Sequence, residues 1–152
     1  MPKNELLAVS GYLPLLRFDR KAARKELGWS GLGGSGRGHR AVAGWDEDAL
    51  TMAVEAARLA GKPAVPESVV FASTSSPFLD RSMAGVLMEA LQIPPSSASQ
   101  DTAGSRRAAT SALLKALLSD RAELIATGEK RPAAAGNAQH MNFGDGGAAA
   151  LA

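Results

Sequence analysis

The sequence predicts an α/β protein in which helices pack on a mostly parallel β-sheet. Short runs rich in β-branched residues alternate along the chain with segments whose apolar residues recur at helical spacing, which is typical of strand–helix–strand units. With 152 residues, of which 45% are hydrophobic and 21% charged, the chain can form a domain with a substantial core. We therefore expect a layered α/β structure.

The first quarter of the chain is predicted to hold one strand, one short helix and one loop. Residues 6–16 are mostly apolar and read as a buried strand that ends in a turn. Asp19 can cap a helix over residues 20–27, because its side chain can accept the free N–H groups of the first turn. Residues 31–38, with five glycines in eight positions (GLGGSGRG), have the composition of a flexible loop.

This loop matches the dinucleotide-binding pattern G-x-G-x-x-G at Gly31, Gly33 and Gly36. That chemistry needs a strand directly before the glycines and a helix that starts at the last one, so that the helix N-terminus meets the pyrophosphate. Here a helical segment precedes the glycines and no periodic segment follows them. The stretch is therefore interpreted as a linker, and no cofactor is predicted.

The middle of the chain is predicted to form a helix, a strand and a second helix. Residues 50–60 have apolar side chains at positions i, i+3, i+4 and i+7, and the acidic residues 46–48 supply a cap and a first turn that suits the helix dipole. Residues 68–74 form a β-branched run that fits a buried strand. Residues 83–91 return to helical spacing and are followed by two prolines.

The last third is predicted to contain a helix, two strands and a loop. Residues 105–119 are apolar nearly all round, so this helix is expected to be buried on most sides. Residues 123–127 read as a strand and residues 130–139, rich in Ala, Pro and Gly, as a loop. Residues 148–152 read as a final strand, whose edge is expected to lie open.

Composition and charge exclude several classes of protein. The net charge of +2 is too small to indicate nucleic-acid binding, and the basic residues near Arg20 read as a solvated helix face. The absence of cysteine excludes disulfides and thiolate zinc sites. The two histidines, His39 and His140, have no metal-ligand spacing, so no metal is predicted. Without a signal peptide or an apolar stretch of membrane length, a cytoplasmic protein is expected.

The most specific stretch is residues 101–114 (DTAGSRRAATSALL), a short polar turn that leads into an apolar helix. A thiolate placed there would lie at a helix N-terminus, where the unpaired N–H groups and the macrodipole lower its pKa and favour acyl transfer. The helix instead begins with Ser105 and Arg106. Ser105 has no nearby base in sequence, which makes it a weak candidate nucleophile.

Several segments, in the right order, resemble the thiolase superfamily and most closely its hydroxymethylglutaryl-CoA synthases and initiating ketoacyl-ACP synthases. They include the segment 101–114 and four others: residues 11–14 (GYLP), 40–57 (RAVAGWDEDALTMAVEAA), 69–77 (VVFASTSSP) and 143–150 (FGDGGAAA). The last of these looks like the family's glycine-rich hairpin. The segments are distributed from residue 11 to residue 150, so the resemblance extends along nearly the whole chain.

The resemblance implies a thiolase-like αβαβα architecture made of two similar halves, of which residues 1–152 match the N-terminal half. The second, C-terminal half, which brings the catalytic histidine and its partner in active members, is expected to be absent. The resemblance places Arg106 on the nucleophile position, with Ser105 one residue before it. It places Thr74 on the acid/base glutamate of the synthases, a position where ketoacyl synthases tolerate threonine. Arginine is always protonated and cannot form an acyl thioester.

Two functional hypotheses follow. One is an acyltransferase that condenses acyl-CoA or acyl-ACP thioesters, with Ser105 or a partner supplying the nucleophile. The other is a non-catalytic, thiolase-like subunit or fragment associated with acyl-CoA metabolism. The sequence pattern around Arg106 resembles that of a cysteine-less subgroup of synthase-like proteins. Members of this subgroup are associated with thiolase subunits and with zinc-ribbon/OB-fold proteins. A homodimer, a thiolase-like partner or such a protein are therefore the expected partners, with acyl-CoA as a possible ligand.

The cation at the nucleophile position carries a structural expectation. A guanidinium at the positive end of a helix is unfavourable by up to about 1 kcal/mol. We therefore expect Arg106 to be buried or half-buried and to need an acidic or carbonyl partner, with Asp101 and Asp145 as the nearest plausible carboxylates.

Overall fold

The computed structural model describes residues 5–28, 37–61 and 64–152. The glycine pattern that begins at Gly31 and ends at Gly36 lies outside the described residues. The described elements, in chain order, are β1 Ala8–Tyr12, β2 Leu16–Asp19, α1 Arg20–Glu26, β3 His39–Val42, α2 Ala49–Ala60, β4 Ser68–Ala72, α3 Met83–Leu91, β5 Ala98–Thr102, α4 Ala108–Leu118, β6 Glu123–Glu129, α5 Ala138–Asn142 and β7 Gly146–Leu151.

A five-stranded mixed sheet with the order β1-β7-β6-β4-β5 forms the centre of the fold. β4 pairs in parallel with both β5 and β6, whereas β7 is antiparallel to both β6 and β1. Four of the five strands therefore run in one direction, with β7 reversed between them. The predicted α/β fold class is confirmed. β2 and β3 form a separate antiparallel pair.

The two faces of the sheet are covered unequally. α2 and α3 pack on one face, where the main core contains the fully buried side chains of Phe71, Met83 and Leu87. α4 alone covers β4, β5 and β6 on the other face, around a smaller cluster that includes Val70 and Ile125. The second face is consequently open beside α4, where Val9 of β1 is 63% exposed.

α2 is held at its N-terminus by a capping box. The Asp48 carboxylate accepts the Thr51 N–H at 2.8 Å, and the Thr51 hydroxyl accepts the Asp48 N–H at 2.7 Å, so two unpaired helix N–H groups are satisfied. The capped turn begins with Ala49, which is fully buried against β6. The predicted acidic cap is confirmed at Asp48, whereas the predicted acidic first turn is wrong, because Asp46 and Glu47 precede the helix.

The expectation that the edge of residues 148–152 lies open is wrong. β7 occupies an inner position and is paired on both sides, with Ala149 opposite Ser10 of β1 and Ala126 of β6. Ala152 continues the ladder and exchanges both backbone hydrogen bonds with Glu123. The strand begins with glycine and alanine because α2 passes directly over it: a Cβ at Gly147 would lie 2.4 Å from the Met52 carbonyl oxygen.

The expected burial of the helix over residues 105–119 is also wrong. The regular helix α4 starts at Ala108, and its buried residues are the alanines at 108, 112 and 116. Leu114 and Leu118 are 62% and 60% exposed. A helix packed on one side of a sheet leaves its outer leucines uncovered.

Four elements lie where the sequence predicts only loops or turns. β2 and β3 pair with each other around α1. β5 is a polar edge strand that is defined by its pairing with β4. Asn137 caps α5, because its side chain accepts the His140 N–H at 2.7 Å. Among the described residues, no helix has the length and apolar character to cross a membrane.

Gly128→Ala tests the close approach of α2 to the sheet. A Cβ at position 128 would lie 1.8 Å from the carbonyl oxygen of Ala49, a contact that no side-chain rotation can relieve. We expect the variant to lower the free energy of unfolding by about 3 kcal/mol, measured by denaturant unfolding. Gly11→Ala is the matched control, because its Cβ would meet its nearest atom at 3.7 Å. Equal stability of the two variants would contradict this packing.

Candidate functional site

A polar cluster forms where β4 and β6 end side by side. Thr74 and Ser75 follow β4, and Glu129 is the last residue of the parallel neighbour β6. The carboxyl ends of parallel strands are where ligand sites of open α/β sheets occur. Thr74, which the sequence assigned to the acid/base position, therefore lies in a location suited to a site.

Glu129 organises this cluster. Its Oε1 accepts the Thr74 N–H at 2.7 Å, and its Oε2 accepts the hydroxyls of Thr74 at 2.9 Å and Ser75 at 2.8 Å. Ser75 Oγ in turn accepts the Lys130 N–H at 2.9 Å. These hydrogen bonds tie the loop after β4 to the end of β6 and fix the hydroxyl of Thr74.

Arg131 completes the cluster on its open side. Its guanidinium hydrogen-bonds to the Thr74 hydroxyl and lies 3.6 Å from Glu129 Oε2. The Thr74 oxygen therefore accepts from a cation while it donates to a carboxylate. Such a hydroxyl has both of its main hydrogen-bonding roles filled and is not free to move a proton.

Phe143 brings Arg106 to the same place. The ring lies 5.7 Å from the guanidinium carbon of Arg131 and 5.3 Å from that of Arg106, so both cations contact its π-system. Thr74 and Arg106, two of the three candidate positions, are thus joined through Arg131 and Phe143.

The expectation that Arg106 is half-buried and paired with a carboxylate is wrong. Arg106 is exposed, and its contact is the ring of Phe143. Asp101 instead caps α3 by accepting the N–H groups of Met83 and Ala84 at 2.8 and 2.7 Å. Asp145 accepts the Ala43 N–H at 2.9 Å. Each aspartate satisfies helix or loop N–H groups that have no other partner.

Ser105 is exposed in the turn before α4. Its Oγ accepts the Arg107 N–H at 3.1 Å, and its carbonyl accepts the Ala108 N–H at 3.0 Å. In the described ranges, no histidine or carboxylate hydrogen-bonds to this hydroxyl. The side chain caps a turn and lacks the base that a serine nucleophile requires.

A cleft with a volume of about 530 Å³ opens beside the polar cluster, lined among others by Arg40, Ser75, Arg131, His140 and Phe143. His140 accepts the Gly136 N–H at Nδ1 and meets the Phe18 ring edge-on at 4.8 Å. Burial and the charge of Arg40 lower the pKa of His140, so the neutral imidazole is favoured. With His140 neutral, the charged groups that line the cleft are three cations, Arg40, Lys130 and Arg131, and two carboxylates, Asp48 and Asp145.

A second group of contacts connects this cleft to α2. Lys130 Nζ donates to the carbonyl of Gly44 at 2.9 Å and also to that of Glu47. The Glu47 carboxylate accepts the Tyr12 hydroxyl and, at 2.6 Å, the Gly44 N–H. The Tyr12 hydrogen bond, the Gly44 N–H and the charge of Lys130 lower the pKa of Glu47, while the same hydrogen bond raises that of Tyr12.

Sequence reasoning did not find Glu129, Arg131 and Phe143 as members of the site. Glu129 and Arg131 lie at the end of a strand and in a predicted loop, and only the pairing of β6 with β4 brings them to Thr74. No grouping of three or more residues able to hold a metal ion occurs in the described part of the chain.

The chain is similar in sequence to a hydroxymethylglutaryl-CoA synthase of Thermococcus gammatolerans. The two are 33% identical over 165 aligned residues, which cover 97% of this chain and 45% of the relative. The chain therefore spans about half the length of the curated relative that it matches. No protein-family model matches the chain.

Two groups of solved structures share its thiolase-like fold. A 3-oxoacyl-(acyl-carrier-protein) synthase III superposes with a TM-score of 0.80 and 20% identity, over 99% of this chain and 50% of that one. OleA of Xanthomonas campestris, solved with bound lauric acid and lauroyl-CoA, gives a TM-score of 0.77 and 16% identity over 96% of this chain and 55% of that one. The predicted thiolase-like fold is confirmed.

The lowered pKa of Glu47 predicts a pH-dependent effect of Glu47→Gln. A carboxylate whose pKa falls on folding stabilises the protein above its unfolded pKa, here near 4.5, and loses that contribution as the pH falls through the folded value. We expect the variant to lower the free energy of unfolding by about 1 kcal/mol at pH 7, because the carboxylate is half-buried and partly screened by solvent, and the difference to shrink toward pH 3.

Denaturant unfolding across this pH range measures the effect. Asp46→Asn is the control, since this neighbouring exposed carboxylate accepts none of the hydrogen bonds described above. A difference between wild type and Glu47→Gln that stays constant with pH would contradict the assigned role of the charge.

Proposed function

We propose a function for this chain from its family: it belongs to the thiolase superfamily and to its hydroxymethylglutaryl-CoA synthase- and ketosynthase-like branch. In this proposal the chain is a non-catalytic thiolase-like subunit of acyl-CoA metabolism. Its role is to associate with a partner that carries out the acyl chemistry. The observation that carries this proposal is the absence of cysteine from the sequence, together with the cation Arg106 at the position that the family resemblance assigns to the nucleophile.

Arg106 has no nucleophilic character, and no cysteine occurs anywhere in the sequence. The geometry supports the same conclusion, because the guanidinium contacts the Phe143 ring instead of lying beneath a reacting group. A cation at that position suits the binding of an anionic ligand and does not suit acyl transfer. Acyl-CoA, whose phosphates are anionic, is a ligand that such a cleft can accept.

The acid/base position is also unsuited to catalysis. A general acid or base needs a proton that it can give or take at the operating pH. The Thr74 hydroxyl is instead held between Glu129 and Arg131. This supports a structural role, in which Thr74 joins the loop after β4 to the end of β6.

The uncovered face of the sheet supports the proposed association. Leu114 and Leu118 are exposed on the outer side of α4, and Val9 of β1 is exposed on the part of the same sheet face that lies beyond the strands contacted by α4. Burying one such leucine is favourable by about 1.5–3 kcal/mol. We propose that a second copy of the chain or a thiolase-like partner covers this face, and that residues 1–152 correspond to the N-terminal half of the two-half fold. A zinc-ribbon/OB-fold protein is the other proposed partner, and the cytoplasm the proposed location.

The alternative function is an acyltransferase that uses Ser105 as its nucleophile. The exposure of Ser105 beside Arg106 and Arg107 is the observation that favours it, because neighbouring cations stabilise an alkoxide. The hydrogen bond from the Arg107 N–H and the absence of a base weigh against it.

Incubation with acetyl-CoA separates these two functions. We expect no covalent acyl adduct on the full chain by intact-protein mass spectrometry, since a serine of ordinary pKa without a base is a poor acyl acceptor. Ser105→Ala is the matched control, which identifies the source of any adduct. A mass increase of one acetyl group in the wild type that is lost in Ser105→Ala would overturn the non-catalytic assignment.

Substitution of the α4 leucines tests the association. We expect the full chain to self-associate in sedimentation experiments. The double variant Leu114→Lys, Leu118→Lys should weaken this association at least tenfold, because charged side chains replace apolar ones that the association buries. Leu15→Lys is the control, since Leu15 is 92% exposed and lies on the α2 side of the sheet. A wild-type chain that remains monomeric at high concentration would contradict self-association and leave a different protein as the partner.

A further inference from the structure

An apolar cavity lies at the end of the sheet opposite to the candidate site. It has a volume of about 390 Å³ and opens between the C-terminal ends of α2 and α3 and the segment that enters β4. Small-molecule pockets in proteins have volumes of about 300–1,000 Å³ and mostly apolar walls. The cavity therefore has the size and character of a ligand site that the candidate site and its cleft do not include.

The floor of the cavity consists of core residues. Ala57, Leu91, Leu124 and Leu151 line it and are each less than 9% exposed. The cavity is open because the residues on its α2 side are small, with Ala57, Gly61 and Ala64 in place of larger side chains. An apolar group that entered it would lose its contact with water against these side chains, which is favourable by about 25 cal/mol for each Å² removed.

The rim of the cavity carries two polar side chains. Arg58 lies at the end of α2, and its side chain is 53% exposed in an ion pair with Glu55 of the same helix. An exposed pair of this kind contributes only about 0.3–0.5 kcal/mol, so an anionic ligand can replace it. The guanidinium is the one charged group among the described residues that line the cavity.

The second rim residue, Gln92, has an unusual backbone. It ends α3 in the left-handed conformation, with φ at 55°, where glycine is strongly preferred. It is the one non-glycine residue with positive φ in the described part of the chain. A glutamine at this position places a carboxamide at the rim, although its backbone conformation is less favourable than that of glycine. We infer that the carboxamide has a role in binding.

From these observations we propose that the cavity binds a medium-chain carboxylate, with its hydrocarbon chain in the apolar interior and its carboxylate at Arg58 and Gln92. The guanidinium donates charge-assisted hydrogen bonds to the carboxylate, and the carboxamide donates a further one. This inference is independent of the proposed function, because the cavity shares no residue with the cluster around Glu129.

Decanoate is the probe for the test, with decyltrimethylammonium and decanol as analogues that have the same chain and a cationic or neutral head. We expect saturable binding of decanoate to the full chain below its micelle concentration, followed by NMR. The methyl resonances of Leu91, Ile93, Leu124 and Leu151 should shift, while those of Leu114 and Leu118 should not. Decanol should bind more weakly than decanoate, and decyltrimethylammonium should not bind.

Three variants separate binding from folding. Arg58→Gln should weaken decanoate binding about threefold to tenfold. Gln92→Gly should also weaken it, although it should leave the melting temperature unchanged or raise it, because glycine suits the left-handed conformation. Ala64→Phe should block the cavity and abolish binding. Arg81→Gln, at an exposed arginine outside the cavity, is the control and should bind as the wild type does.

The proposal is overturned if decanoate shows no saturable binding, or if the cationic analogue binds equally well. It is also overturned if Gln92→Gly and Ala64→Phe, both folded by circular dichroism, bind decanoate with wild-type affinity. Failure of the acetyl-CoA or association experiments leaves this test unaffected, because those variants lie at the other end and on the other face of the sheet.

Discussion

The close approach of helix α2 to strands β6 and β7 is the constraint on which the remainder of this structure depends. A Cβ at Gly128 would meet the backbone of Ala49, and one at Gly147 would lie 2.4 Å from the carbonyl of Met52, so both positions require glycine. Because the helix rests directly on these strands, β7 begins with glycine and alanine, and its one larger side chain, Leu151, lies at the end of the strand. The same contact sets the positions of Glu129 and Lys130, which follow Gly128 at the end of β6.

The candidate site is a hydrogen-bonded cluster in which neighbouring side chains hold one another in place. Glu129 gathers the N–H of Thr74 and two hydroxyls, and Arg131 closes the cluster against Phe143. The polar groups of Thr74, Ser75 and Glu129 therefore form hydrogen bonds with one another. A catalytic group needs a free hydrogen-bonding position that faces its substrate. Arg106 and Arg131 both contact the ring of Phe143, so two cations lie beside this aromatic side chain.

The accuracy of the sequence predictions follows the burial of each element. The sequence predicted α2, β4, α3 and the start of β6 because each of these elements buries an apolar face. The spacing of apolar residues along each segment is a local pattern that indicates the element. β5 was missed because it is a polar edge strand, whose residues 98–101 are all exposed. Its strand conformation depends on hydrogen bonds to β4, a segment some thirty residues earlier, and no local pattern records such a pairing.

The sequence by itself determined the chemistry that is available at the site, because residue identity fixes it: no cysteine occurs in the chain, and the candidate positions hold Thr74, Ser105 and Arg106. It also determined the α/β class, since helical and strand periodicities are local. Only the tertiary structure decided that β7 lies inside the sheet and that Arg106 meets Phe143 instead of a carboxylate. Both outcomes arise from contacts between distant segments. The close approach of α2 favours small residues in the inner strand β7, and Asp101 and Asp145 accept backbone N–H groups instead of pairing with Arg106.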